Sequence, residues 1–118
     1  MKLDALRKYF AAKAGSEETF PFDETTLVLK VGNKMYGLVG LEGDPLRVNL
    51  KCDPDLAELL RARYESVIPG YHMNKRHWNS VILDGSIPRK ELREMIDHSY
   101  DLVFRSLRKA DRERIIND

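Results

Sequence analysis

The sequence predicts an α+β fold, a mostly antiparallel sheet with helices packed on one face. Three observations carry that expectation. The runs 27–31, 35–41 and 46–52 each show a two-residue period and follow one another across short turns. Apolar spacing is helical instead near the N-terminus, over 53–64 and from 88 to 107. Strands and helices do not alternate one by one, which argues against a parallel βαβ sheet.

Along the chain, Leu3, Leu6 and Phe10 form one apolar stripe that Ala14 continues, predicting an amphipathic helix ending near Gly15. The segment 18-ETFPFD-23 holds two phenylalanines around Pro21, which suits an edge strand or an extended entry. Leu27, Leu29 and Val31 alternate with Val28 and Lys30, and Gly32-Asn33 offers a turn. Met35, Gly37, Val39 and Leu41 continue on one face, and 42-EGDP-45 turns the chain again. The third run is the cleanest: Leu46, Val48, Leu50 and Cys52 face one way, Arg47, Asn49 and Lys51 the other. Three strands joined by such turns form a meander with one buried and one wet face.

At 53-DPDLAELLRARY-64 the period changes. Asp53 is a candidate N-cap with Pro54 at the first helical position, and Leu56, Leu59, Leu60 and Arg63 follow at helical spacing. The short 67-VIPGY-71 and the run 78-WNSVILDG-85 read as further strands. From Pro88 to Leu107 a long helix carries Leu92, Met95, Ile96, Ser99, Val103 and Leu107 on one side, with Ser86 as its capping candidate. The tail 108–118 is charged and predicts a short, fraying helix.

Composition narrows the function classes. A chain of 118 residues is most simply one domain, spanning 1–118, with a single core. Twenty basic residues against 19 acidic ones give a net charge of +1, so nucleic-acid binding would have to come from local clustering. One cysteine, Cys52, excludes an intrachain disulfide and a Cys-rich zinc site, and fits a reducing cytoplasm. Asp4, Arg7, Lys8 and Lys13 interrupt the N-terminal apolar residues, so a signal peptide is not expected. No apolar run approaches the roughly 20 residues needed to span a bilayer, and a cytoplasmic protein is the expectation.

Catalytic and metal motifs are missing. His72, His77 and His98 lack an HExxH spacing or a cysteine cluster, and hydrogen-bonded structural roles fit them better. There is no GxSxG elbow, and Cys52 reads as a small buried hydrophobe. Asp97 and His98 are adjacent on a helix and point about 100° apart, so they make no dyad by themselves. The glycines at 32, 37, 40 and 43 belong to hairpins, not to a phosphate loop.

The remaining concentration of chemistry is 69-PGYHMNKRHWNS-80 together with the polar face of 46–52. Arg47, Lys51, Lys75 and Arg76 can neutralise phosphates, Asn49 can read a base edge, and Trp78 can stack if exposed. The turns 32-GNK-34 and 42-EGDP-45 could act as wings against a duplex, although Glu42 and Asp44 would repel phosphate. Against this stands the plainer reading, in which Trp78 is core and the basic pairs are ordinary surface.

The segments FPFDETTLVLKVGNKMYGLV, PLRVNLKCDPDLAELLRARY, VIPGYHMNKRHWNSVILDGSIP and ELREMIDHSYDLVFRSL, in that order, closely resemble the MmcQ/YjbR family. NLKCDP and PGYHMNKRHWNSV are the most specific parts, and the resemblance runs from about Phe20 to Leu107. It implies a CyaY-like, two-layer α+β domain and binding of double-stranded DNA through a double wing of hairpins. The family motif falls on Asn49, Lys51, His72, Asn74, Lys75, His77, Trp78 and Asn79, and it brings no catalytic role and no cofactor. With Arg47 and Arg76 these residues make the expected nucleic-acid surface of a monomeric, non-enzymatic protein. The competing expectation is a protein- or small-ligand-binding module that uses the 69–79 loop as its pocket wall.

Overall fold

The computed structural model describes residues 1–70 and 73–118. The described residues form helix α1 (Leu3–Ala11), strands β1 (Ser16–Thr19), β2 (Thr26–Val31), β3 (Lys34–Gly40) and β4 (Arg47–Lys51), and helix α2 (Pro54–Arg63). Then come β5 (Val67–Pro69), β6 (Trp78–Ile82), α3 (Arg89–Ser106) and α4 (Lys109–Asn117). All pairings are antiparallel, in the order β1-β2-β3-β4-β6-β5. The expected α+β fold is what the chain adopts.

The main core lies between one face of this sheet and the helices. Leu6 and Phe10 of α1 and Leu92, Ile96, Tyr100 and Val103 of α3 meet Leu27, Leu29, Val48, Leu50 and Val81 of the strands. At its centre Tyr36 is fully buried, edge-on to Phe10 (ring centroids 5.8 Å apart) and to Tyr100 (5.3 Å). Such pairs contribute about 0.5–1.5 kcal/mol each beyond burial. The Tyr36 hydroxyl meets Ser16 Oγ at 2.5 Å, so its one polar atom is satisfied.

Tyr36 corrects the alternation expected for the second run. A bulge shifts the β2–β3 register between Leu29 and Lys30: Leu29 pairs with Gly37 but Lys30 pairs with Met35. The extra residue lets Tyr36 face the helices beside Gly37, while Met35 joins the opposite face. That opposite face is also not uniformly wet. Val28, Leu38 and Trp78 close a second, smaller core there, with Met35 and Met73 packed against it.

Local chemistry sets the ends of the elements. Gly32 and Asn33 both have positive φ, 56° and 67°, as a two-residue hairpin turn requires. Asp53 caps α2 by accepting from the Asp55 N–H at 3.1 Å, with Pro54 at the first helical position. Other expectations needed correction. Helix α1 stops at Ala11, not near Gly15, and the Ala14 carbonyl instead takes the Tyr100 hydroxyl. The edge strand expected over 18–23 is β1 at the sheet's edge, but it stops before the phenylalanines: Phe20 and Phe22 are 47% and 63% exposed, beyond its end, where Pro21 cannot donate to a ladder. Ser86 does not cap α3, whose N-cap is Pro88, because its hydroxyl is held by Asp84 and Ser66. In α2 the buried stripe is Ala57, with Leu60, Arg61 and Tyr64 half-buried, and Leu59 is 66% exposed.

Candidate functional site

Strand parity assigns the predicted site residues to two surfaces. Arg47, Asn49 and Lys51 alternate with the core residues Val48 and Leu50, so they project from the sheet face away from the helices. Across the ladder Asn49 pairs with Ser80 and Lys51 with Trp78, which places both partners on that open face. Asn79 and Val81 therefore face the helices. The structure brings Arg47, Asn49, Lys51 and Trp78 together and sends Asn79 to the other side.

On the open face Asn49 Oδ1 accepts from the Ser80 hydroxyl, which fixes the amide against the strand. Trp78 is only 8% exposed and packs into the second core, so its ring is no stacking platform. Arg47 is exposed and Lys51 half-buried, and neither forms an ion pair with any described residue.

The turn entering β6 brings Lys75 and Arg76 to the same end as Lys51. Asn74 Oδ1 accepts from the Arg76 N–H at 3.0 Å, and the His77 N–H donates to the Asn74 carbonyl at 3.1 Å. Asn74 thus shapes the turn. The His77 carbonyl accepts from the Cys52 N–H at 2.8 Å, extending the pairing past the end of β4. Lys75 and Arg76 are exposed and unpaired among the described residues. His72 lies outside the described residues.

Arg61, which sequence reasoning passed over, holds this turn. Its Nε donates to Asn79 Oδ1 at 2.7 Å, and one terminal nitrogen donates to the carbonyls of Lys75 and Trp78. One planar guanidinium can meet three acceptors in this way and a lysine cannot. Gly70 completes the clamp by donating to the Trp78 carbonyl at 2.8 Å. A Cβ on Gly70 would lie 2.9 Å from that same oxygen and 2.7 Å from Trp78 Cβ, so only glycine fits.

The two hairpin turns expected to act as wings lie at opposite ends of β3, about 23 Å apart at roughly 3.3 Å per residue. The turn at 32–33 is packed on the end of α3. Lys34 Nζ reaches Ser106 Oγ at 3.2 Å, and a Cβ on Gly32 would be 2.7 Å from the Leu107 methyls. The 42–45 turn is exposed, and it carries Glu42 and Asp44 next to the Arg47 end of β4.

On the helix side, Cys52 is 4% exposed, and burial pushes its thiol up to about 11, with Asp53 adding to the shift. That is the environment of an inert thiol. Asp97 is occupied by Tyr9, 2.6 Å from its hydroxyl, and by Lys13, while His98 Nε2 accepts from the Asp53 N–H at 3.1 Å. The adjacent acid and imidazole thus serve separate contacts. No cluster of three or more metal-ligating side chains occurs among the described residues, nor any helix long and apolar enough to cross a membrane.

Comparison with known proteins agrees with this architecture. The sequence model of the YjbR family matches residues 11–102. "Uncharacterized protein YjbR" of Escherichia coli (strain K12) is 34% identical over 116 residues, covering 98% of each chain. "Uncharacterized protein YyaQ" of Bacillus subtilis is 32% identical over 110 residues, covering 81% of this chain and 92% of its own. The crystal structure of Deinococcus radiodurans protein DR2400, described with a DUF419 domain, superposes with a TM-score of 0.92 at 44% identity. That match covers 97% of this chain and 87% of the other.

Proposed function

The chain belongs to the YjbR family, and from that premise we propose that it binds double-stranded DNA, without catalysis, through the open face of its sheet. In this reading it acts as a cytoplasmic monomer. The observation that carries it is the placement of four cations without an acidic partner among the described residues, Arg47 and Lys51 on β4 and Lys75 and Arg76 on the turn that enters β6 beside it. Arg7, Lys13 and Arg63 by contrast are neutralised by Glu18, Asp97 and Glu91. Arg47 and Lys51 are four residues apart on one face, a span of about 13 Å, on the order of four base-pair steps along a duplex.

Contact falls mainly on phosphates. Asn74 is committed to its turn and the Trp78 ring to the second core, so neither supports base readout. The acidic turn at Glu42 and Asp44 weakens the Arg47 end, and the footprint centres on Lys51, Lys75 and Arg76. Hairpin wings are not needed for this mode of contact.

The test is a titration of a fluorescently labelled duplex at several salt concentrations. Engagement of all four cations gives a log–log slope of about −3 to −4, from roughly 0.9 per phosphate contact. Binding that ignores salt, or no binding at about 50 mM salt, where phosphate contacts are strong, overturns the reading. Association with a protein partner that duplex DNA does not compete away would favour the interaction-module alternative.

A further inference from the structure

On the opposite side of the sheet from Arg47 and Lys51, helices α2 and α3 part over strands β4 and β6. They are tied at one end where Arg63 pairs with Glu91 at 2.9 Å and the Tyr64 hydroxyl donates to the same carboxylate. At the other end the Asp53 N–H donates to His98 Nε2. Between these ties lies a cleft of about 210 Å³. Leu50, Cys52, Val81 and Met95, all nearly inaccessible, and the half-buried Leu56 and Leu60 give it an apolar interior.

One fully buried polar group in that lining is unanswered. Asn79 is 2% exposed, and its Oδ1 is taken by Arg61, which fixes the amide so that Nδ2 is the remaining atom. Nδ2 is buried with no acceptor among the described residues. A buried donor left without an acceptor costs about 1–3 kcal/mol, and natural structures keep few of them. An apolar cleft with one such donor is the ordinary composition of a small-molecule site.

We propose that the α2–α3 cleft binds a small uncharged molecule with an apolar body and a carbonyl-type acceptor, which takes the hydrogen bond of Asn79 Nδ2. The apolar interior selects the body and the buried donor selects the acceptor. The acids in the lining, Glu91 and Glu94, stand beside the bases Lys51 and Arg63, so its charges offset and select no ion. Cys52, held as the neutral thiol, is part of the apolar surface. Lys51 also borders this cleft, but the site uses none of the other cations of the DNA reading.

The test uses acetophenone as probe and ethylbenzene, which lacks the acceptor, as control. Binding is followed by NMR at the Asn79 side-chain amide and the Met95 methyl. Acetophenone is expected to perturb both signals and to bind about tenfold more tightly than ethylbenzene, the ratio that one hydrogen bond near 1.4 kcal/mol provides. Asn79→Asp keeps an acceptor for Arg61 and removes the donor, so it should abolish that preference. Leu60→Trp fills the cleft from its half-buried rim without touching Asn79, and should abolish binding of both probes should the first variant fold poorly. Equal binding of the two probes to the wild type, no perturbation at millimolar acetophenone, or unchanged acetophenone binding in Leu60→Trp overturns the proposal.

Discussion

The Ser99 hydroxyl donates to the Tyr36 carbonyl at 2.5 Å and accepts from the Lys51 N–H at 2.9 Å. Both backbone groups lie just past Gly37↔Leu50, the terminal register pair between β3 and β4. A side chain of α3 thus takes over where the ladder stops, next to the bulge. Replacing Ser99 with Ala leaves both groups buried and unanswered. The expected loss is about 2 kcal/mol, seen in urea denaturation as a lower midpoint at unchanged m-value. A variant as stable as wild type would show that the hydroxyl is dispensable.

Arg61→Ala should release the turn entering β6 by removing the donors to Lys75, Trp78 and Asn79. Charge-assisted hydrogen bonds contribute about 1.5–3 kcal/mol each, though not additively. A loss of about 2–3 kcal/mol is expected, with faster hydrogen exchange at the His77 amide. Arg61→Lys should recover little, because an ammonium lacks the planar fork. Full recovery by lysine would mean that charge, not geometry, holds the turn.

For DNA, the double variant Lys75→Ala/Arg76→Ala should weaken duplex binding uniformly across sequences and reduce the salt slope by about 2. Glu42→Gln/Asp44→Asn should do the reverse, tightening binding several-fold by removing repulsion beside Arg47. Anisotropy titrations measure both. Equal affinity in all these variants would move the contact to another surface.

Cys52 supplies a pH prediction with a definite sign. Its thiol ionises near 9 when exposed, and burial raises it to about 11 in the fold. The unfolded chain therefore loses its proton first, and the stability that the neutral thiol contributes is full below pH 9 and lost as pH rises towards 11. Cys52→Ala should show a shallower decline across that window, the wild-type difference isolating the thiol from the tyrosines. At pH 8 the native protein should react with a thiol reagent far more slowly than the unfolded chain. Rapid labelling of the native state would contradict the burial.

Legibility from sequence followed the locality of the cause. The 47–51 strand was readable because polar and apolar residues alternate without exception, and the 53–63 helix because Asp53-Pro54 is a local start signal. Tyr36 was misplaced because a bulge inverts the parity of everything before it, and its cause, a tyrosine reaching Phe10 and Tyr100, is tertiary. Arg61 was missed because Ala57, Leu60, Arg61 and Tyr64 fit helical spacing as well as the more apolar Leu56, Leu59, Leu60 and Arg63. Asn49 and Asn79 looked alike within the family motif, and only strand pairing revealed that they serve opposite faces.

The brevity of the outer strands governs how copies of this chain can meet. β5 has three residues and ends in Pro69, which has no N–H to offer, and β1 has four, two of them glutamates. Edge-on growth of the sheet into fibrils or swapped assemblies therefore has little backbone to recruit at either side. Side-chain contacts are left as the readier route to association, one that salt and single substitutions can dissolve.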